Sequence, residues 1–281
     1  MDSPGIPALT TLDAGVFVYT RPLPGFGGRV SAALFLGEKT AVVIDTMRSP
    51  RDMETFAGMV GERGVFVVYT HADWDHCLGS AAFRWTQVIA HDLALARLTG
   101  KERPDVEAIS EIAPELVEEG SIVLPSVTFS RELTLGRIHL SHLPGHTPDS
   151  IVCFEEGSGV LVAGDAAEDP IPSVGDATSI GVWTSGLERW APVVRAVVPG
   201  HGRPQGPELL LANARYLRGL AGLAERAASE GATPEALVRE FPLEKAFPEA
   251  LPALRQMHPR DQDFYVEAHK KNLLRAFSTL A

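Results

Sequence analysis

The chain opens on short apolar runs broken by Gly, Pro and Asp. Val16–Thr20, Val30–Leu36 and Ala41–Asp45 predict three successive strands, with turns at Pro22-Leu23-Pro24-Gly25 and Gly37-Glu38-Lys39. Pro50–Glu62 carries apolar residues at helical spacing (Met53, Phe56, Ala57, Val60) and stops before Gly64. Val65–Tyr69 is an unbroken β-branched and aromatic run, which predicts a strand covered on both faces. A short helix from about His76 to Phe83 and a strand at Gln87–Ala90 follow. Residues 100–120 are polar and predict a surface insertion with helical content. Strands resume at Val127–Ser130, Ile138–Leu143, Ile151–Phe154, Val160–Ala163 and Val194–Val198. A meander passing into β-α-β-α predicts an α/β class with layered sheets and helices.

The pattern changes after Gly202. Pro207–Glu230 predicts a long amphipathic helix, with Leu210, Ala214, Leu217 and Ala221 on one face and Gly231 past its end. Thr233 caps a further helix, and Asp261–Leu280 shows Val266, Leu273, Phe277 and Leu280 on one side. The boundaries that follow are an α/β body over 1–205 and a helical extension over 206–281 packed on it.

Composition narrows the function classes. The 281 residues are 45% apolar and 22% charged, an ordinary globular balance that excludes a disordered or fibrous chain. A net charge of −11 disfavours a general nucleic-acid or anionic-membrane binder. No apolar stretch reaches the length of a membrane span. Met1-Asp2-Ser3-Pro4-Gly5 has neither the basic nor the apolar part of a signal peptide, and Cys77 and Cys153 make no disulfide framework. The expectation is a cytoplasmic protein acting on a small molecule; its oligomeric state is not legible.

The chemistry lies where strands end. His71-Ala72-Asp73-Trp74-Asp75-His76 places four metal-competent side chains in six residues directly after the strand Val65–Tyr69. Without a metal the two carboxylates would repel each other. His146 follows Ile138–Leu143, Asp165 follows Val160–Ala163, and His201 follows Val194–Val198. Ligands in open α/β sheets bind beyond the carboxyl ends of strands, so four such ends predict one metal site.

This ordered set resembles the metallo-β-lactamase superfamily, whose signature H-x-H-x-D-H is followed by a His, an Asp in a Gly-Asp step, and a last His; the match runs over roughly residues 12–203. The resemblance implies a four-layer αββα sandwich of two mixed β-sheets flanked by helices, here with a C-terminal helical extension. It also implies two divalent metal ions. His71, Asp73 and His146 would hold the first, Asp75, His76 and His201 the second, and Asp165 would bridge them. The implied activity is metal-dependent hydrolysis of an ester, thioester, lactone, amide or phosphoester bond by a bridging hydroxide, with Asp75 and Asp165 orienting the nucleophile and shuttling its proton. Zinc is the metal the family implies.

Asp73 departs from the signature, which has His there. Either it ligates, giving a harder and more anionic site that favours iron or manganese, or it stops short and leaves the first metal weak. Ligation is the expectation. Flavodiiron members also place a carboxylate here, and a persulfide-dioxygenase-like enzyme would need only His71, His146 and Asp165. An iron-dependent oxidoreductase is therefore the alternative to the hydrolase. Glyoxalase-II relatives share a helical C-terminal part but keep the His that Asp73 replaces.

The remaining candidates have plainer expectations. Thr147 would support His146 through a hydrogen bond. Trp74 would line the site mouth or simply pack. His91 is expected beside the site or at the surface, His258 and His269 at the surface, and Cys77 and Cys153 as small buried hydrophobes. His139 and His142 differ in parity along their strand and face opposite sides. The segment Asp169–Gly186 has few strand or helix signals; with the C-terminal helices it is expected to frame the pocket.

Overall fold

Alternating apolar positions on the longest strands decide the layering. The computed structural model describes residues 6–101, 103 and 122–280, and the expected insertion over 100–120 falls largely outside them. Twelve strands are seen among the described residues: β1 (Ala8–Asp13), β2 (Val16–Leu23), β3 (Gly28–Leu36), β4 (Thr40–Ile44), β5 (Gly64–Val68), β6 (Trp85–His91), β7 (Val127–Phe129), β8 (Glu132–Leu135), β9 (Ile138–His142), β10 (Ile151–Glu155), β11 (Val160–Glu168) and β12 (Ala196–His201). The helices are α1 (Glu54–Val60), α2 (Trp74–Cys77), α3 (Asp92–Thr99), α4 (Ile180–Trp190), α5 (Glu208–Ser229), α6 (Pro234–Glu240), α7 (Leu243–Ala246), α8 (Leu251–Leu254) and α9 (Pro259–Ser278).

The strands form two mixed halves. One runs β7-β6-β5-β4-β3 and continues through β2 to β1; the other runs β12-β11-β10-β9-β8. The β4–β5, β5–β6, β6–β7 and β11–β12 pairs are parallel and the others antiparallel. The halves meet at one pair of residues, His201 opposite Val30, so the hydrogen-bonded path is continuous across a narrow seam.

Successive side chains on a strand point to opposite faces. Val30, Ala32 and Leu34 of β3 join Val43, Val67, Met53 and Phe56 under α1, while Ala33 and Phe35 turn the other way. These meet Ile44, Val68, Leu140, Ile151, Val162 and Val198 in a layer contributed by both halves. On β11 and β12, Leu161, Ala163 and Val197 face the far side and pack under Trp183 and Leu187 of α4 and Leu210 and Leu217 of α5. Three apolar layers separate helices, sheet, sheet and helices. Leu273 and Tyr265 of α9 belong to the same cluster as α5, so the C-terminal helices and the outer face of β11 share one core.

Several elements were not legible. The Gly-poor, polar strand β1 and the edge strand β8 carry weak alternation, and α3 follows β6 without a loop. The expected helix at His76–Phe83 is one turn of α2 followed by a 3-10 turn at Ser80–Ala82. The segment Asp169–Gly186 is not an irregular loop throughout: it contains the start of α4, whose Trp183 is fully buried and donates from Nε1 to the Ala166 carbonyl at 2.9 Å.

Candidate metal centre

The candidate side chains lie at or near strand ends, with Asp75 and His76 on α2 and Asp165 within β11, where Gly200 makes room for its carboxylate. At the end of β5, Thr70 turns the chain so that its N–H and hydroxyl both donate to Asp45, each at 2.7 Å. Asp45 itself lies just past β4 with a φ of 60°, in the left-handed region that a β-carbon disfavours. The strand β11 does not end at Ala163, as the sequence pattern suggested, but continues to Glu168 through two register shifts against β12, one of them at Gly164. Such irregularities re-aim a side chain, and here they bring Asp165 inward. Gly200 of β12 lies so close that a β-carbon there would collide with Asp165 Oδ1 and the Gly164 carbonyl carbon. His201 is the last residue of β12, not a loop residue beyond it.

Seven side chains converge. His71 Nε2 lies 3.6 Å from Asp73 Oδ2 and 3.7 Å from Asp165 Oδ2. His146 Nε2 is 3.2 Å from Asp73 Oδ2 and 3.4 Å from Asp165 Oδ2. On the other side, His76 Nε2 is 3.2 Å from Asp165 Oδ1, and His201 Nε2 is 3.4 Å from Asp75 Oδ2 and 3.3 Å from Asp165 Oδ2. Asp73 therefore reaches the imidazoles on either side of it. Within 4.8 Å of one another lie the donor atoms of His71, Asp73 and His146, those of Asp75, His76 and His201, and those of His71, His76 and Asp165.

The far nitrogens of three of the four imidazoles are held, which fixes the orientation of those rings, whereas Nδ1 of His201 is buried without a partner. His76 Nδ1 donates to Asp45 Oδ2 at 2.8 Å, His71 Nδ1 meets Thr70 Oγ1 at 3.0 Å, and His146 Nδ1 donates to the Ser173 carbonyl at 2.8 Å. His71 Nε2, His76 Nε2 and Asp165 Oδ1 are buried yet have no hydrogen-bond partner. Buried polar atoms left in that state are costly unless a ligand meets them. The donor set and these atoms fit a pair of divalent cations.

Charge in the site follows from this crowding. Burial works against an imidazolium at His146 and His201, but Asp165 outweighs it, assisted by Asp73 at His146 and by Asp75 at His201; their pKa values are pushed up to about 10 and about 9. His76 is raised by Asp165, Asp75 and Asp45 against the cost of burial. His71 goes the other way, lowered by burial and by the neighbouring His76. Burial opposes a charge on Asp165, but His201, His76, His146 and His71 hold its carboxyl well below the usual range. Glu168, 3.9 Å from His146 Nδ1, is pushed up to about 7 by burial and by the charge on Asp165.

Comparison places the chain in a known group. The family model described as the metallo-beta-lactamase superfamily matches residues 25–201. The chain belongs to that superfamily. Among solved structures, a metallo beta lactamase from Erythrobacter litoralis is 20% identical with a TM-score of 0.56, covering 75% of this chain and 96% of that one. One from Hirschia baltica is 18% identical with a TM-score of 0.57, covering 75% and 97%. At such identities these neighbours speak for the fold alone. A search of curated protein sequences returns no significant match. The family match ends before α5, so the C-terminal helices lie outside it.

Other expectations fared differently. Thr147 does not touch His146; its hydroxyl pairs with Ser150 Oγ at 2.8 Å, and the Ser173 carbonyl supports His146 instead. His91 is neither at the site nor at the surface: it is buried and stacked on His142 with ring centroids 3.9 Å apart. His269 is fully buried, bonded to the Tyr216 hydroxyl and the Phe241 carbonyl, whereas His258 caps α9. Cys77 and Cys153 are buried free thiols. Trp74 meets Phe26 edge to face at 5.7 Å, so the hairpin between β2 and β3 leans over the metal loop. The supporting residues missed include Asp45, Thr70, Arg97, Asp149, Glu168 and Ser173. Asp45 had a signal, since it ends a buried apolar strand just as His71 follows one.

Proposed function

We propose that the protein is a metal-dependent hydrolase with a dinuclear centre, acting on a small molecule through an ester, thioester, lactone, amide or phosphoester bond. The observation that carries this reading is the convergence of four histidines and three aspartates around buried, unpartnered atoms of His71, His76 and Asp165. His71, Asp73 and His146 would hold one cation and Asp75, His76 and His201 the other, with Asp165 between them. Two such cations would acidify a water near neutral pH and polarise the substrate oxygen under attack.

The chain's own residues supply the rest. Asp165 and Asp75 keep their carboxylates facing His201, positioned to orient the attacking water and hold its proton. Asp45, Thr70 and the Ser173 carbonyl fix the imidazoles of His76, His71 and His146, so that these three rings need little reorganisation on metal binding. Trp74, packed edge to face on Phe26, would line the mouth of the site. A cleft of about 970 Å³ adjoins Gly202, the residue after His201, and is bounded by Gly27 and Gly28, by Asp169, and by Met257 and His258 next to α9; none of the seven candidate ligands lines it. That is room for a small-molecule substrate. Of the segment Asp169–Gly186, only Asp169 lines it. Zinc is the metal the family favours, while the extra carboxylate of Asp73 shifts preference toward iron or manganese. The charge of −11 does not suit a nucleic-acid or anionic-membrane partner. No described helix is long and apolar enough to cross a membrane.

Elemental analysis of protein purified without added metal, followed by a panel of thioesters, lactones and phosphodiesters, tests the reading. Two zinc or manganese ions per chain with hydrolysis supports it. One iron with oxygen uptake on a thiol substrate would replace it with the oxidoreductase alternative.

A further inference from the structure

Asp73 is the position where this chain leaves the superfamily signature, and its carboxylate has a partner that the signature does not contain. Arg97, near the end of α3, points its guanidinium at two carboxylates at once. Nη2 lies 2.6 Å from Asp73 Oδ1, and Nη1 lies 2.6 Å from Asp149 Oδ1. Asp149 is fully buried, and its other oxygen accepts the Ala72 N–H at 2.8 Å, one residue before Asp73. The guanidinium is thus anchored on the metal loop itself. With Oδ1 of Asp73 engaged, Oδ2 is the oxygen that faces His146 and His71, at 3.2 and 3.6 Å.

We infer that Arg97 is the positioning residue that makes an aspartate serviceable at residue 73: it holds Oδ1, so that a single oxygen is presented to the first metal, and it offsets the charge that Asp adds where the signature has a neutral imidazole. The inference rests on the dinuclear reading above. A carboxylate is shorter than an imidazole and rotates about its terminal bond, so it needs an external brace. A planar guanidinium that donates to two carboxylates from fixed directions supplies one, whereas an ammonium carries the charge without the two-directional geometry. The plainer role, in which Arg97 merely neutralises buried Asp149 and ties α3 to the loop, predicts no dependence on what occupies residue 73.

A double-mutant cycle separates the two roles. Wild type, Arg97→Lys, Asp73→His and the double variant are stripped with chelator, checked for fold by circular dichroism, and titrated with Zn²⁺ against a chromophoric competitor. Arg97→Lys in the wild-type background should weaken one of the two bound ions by about 10–100-fold and leave the other unchanged. In the Asp73→His background the same change should alter binding by less than about threefold, because the brace no longer has a carboxylate to hold. Where Arg97→Lys does not fold, Arg97→Gln enters the same cycle. Equal losses in both backgrounds, or no loss in either, overturn the inference while leaving the metal centre intact. A wild-type chain that binds none of Zn²⁺, Mn²⁺ and Fe²⁺ in the same titration refutes the dinuclear reading itself, and the inference with it.

Discussion

Exchanging Asp45 for asparagine alters one charge and almost no volume, yet it should disable His76. Asp45 Oδ1 accepts the Thr70 N–H at 2.7 Å, and a backbone N–H can only donate. The asparagine must therefore place its carbonyl oxygen there, which puts its NH2 where Oδ2 now sits, 2.8 Å from His76 Nδ1. An NH2 in that place requires Nδ1 to accept, so the ring proton moves to Nε2, the atom that faces Asp165 and the metal position. Loss of such a supporting carboxylate lowers metal affinity by about 10–100-fold, or roughly 1.4–2.8 kcal/mol at about 1.4 kcal/mol per tenfold. The metal-free fold should lose about 1.5–3 kcal/mol, the contribution of one hydrogen bond to a charged group. Competition titration of stripped Asp45→Asn protein reads the first quantity and urea denaturation the second. Unchanged affinity at both metal positions would refute the tautomer argument.

Further outcomes follow from the same geometry. In chelator-stripped protein, His146 and His201 are raised to about 10 and about 9, so the stability they contribute is fully present below about pH 6.5 and is lost as pH climbs through 9 to 10. Melting scans from pH 6 to 10 should show that decline, and a flat profile would count against it. Gly200→Ala should drive a β-carbon into Asp165, costing about 1–3 kcal/mol or more and abolishing metal retention by elemental analysis; two retained metals would show that the strand simply shifts. Asp261→Ala removes the acceptor of the Gly25 N–H at 2.5 Å, so amides of residues 23–28 should exchange faster by mass spectrometry, and unchanged protection would contradict that tether.

What the chain revealed in advance depended on whether a residue's role was local. In the sequence, His71, Asp73, Asp75 and His76 fall within a span of six residues just after a buried apolar run, and His146, Asp165 and His201 each follow another such run, so a one-dimensional pattern pointed to all seven. The α/β class was legible from the order of strands and helices, but the four-layer arrangement came only from the family resemblance, because β3 and β11 are buried on both faces and carry no alternation of apolar and polar residues. Arg97 was not legible: it lies on a short helix in an ordinary mixture of apolar and charged residues, and its partners are 24 and 52 residues away. His269 misled for a related reason, since a histidine late in an amphipathic helix looks solvent-facing until its Tyr216 and Phe241 partners are known.

The helix α9 holds the centre from two sides. Asn272 takes the Val174 N–H and donates to the Pro172 carbonyl, framing Ser173, which supports His146. Asp261 and Tyr265 grip Gly25 and Gly27 of the hairpin, where a β-carbon on Gly27 would come within 2.6 Å of His201 Nδ1. Chains emerge from the ribosome amino end first. The segments that carry all seven candidate ligands are therefore made well before the helix that braces two of them, and the nascent chain passes through a stage with its candidate metal-binding side chains translated but their frame unfinished. Metal capture in its final geometry thus waits until α9 has been made and has docked.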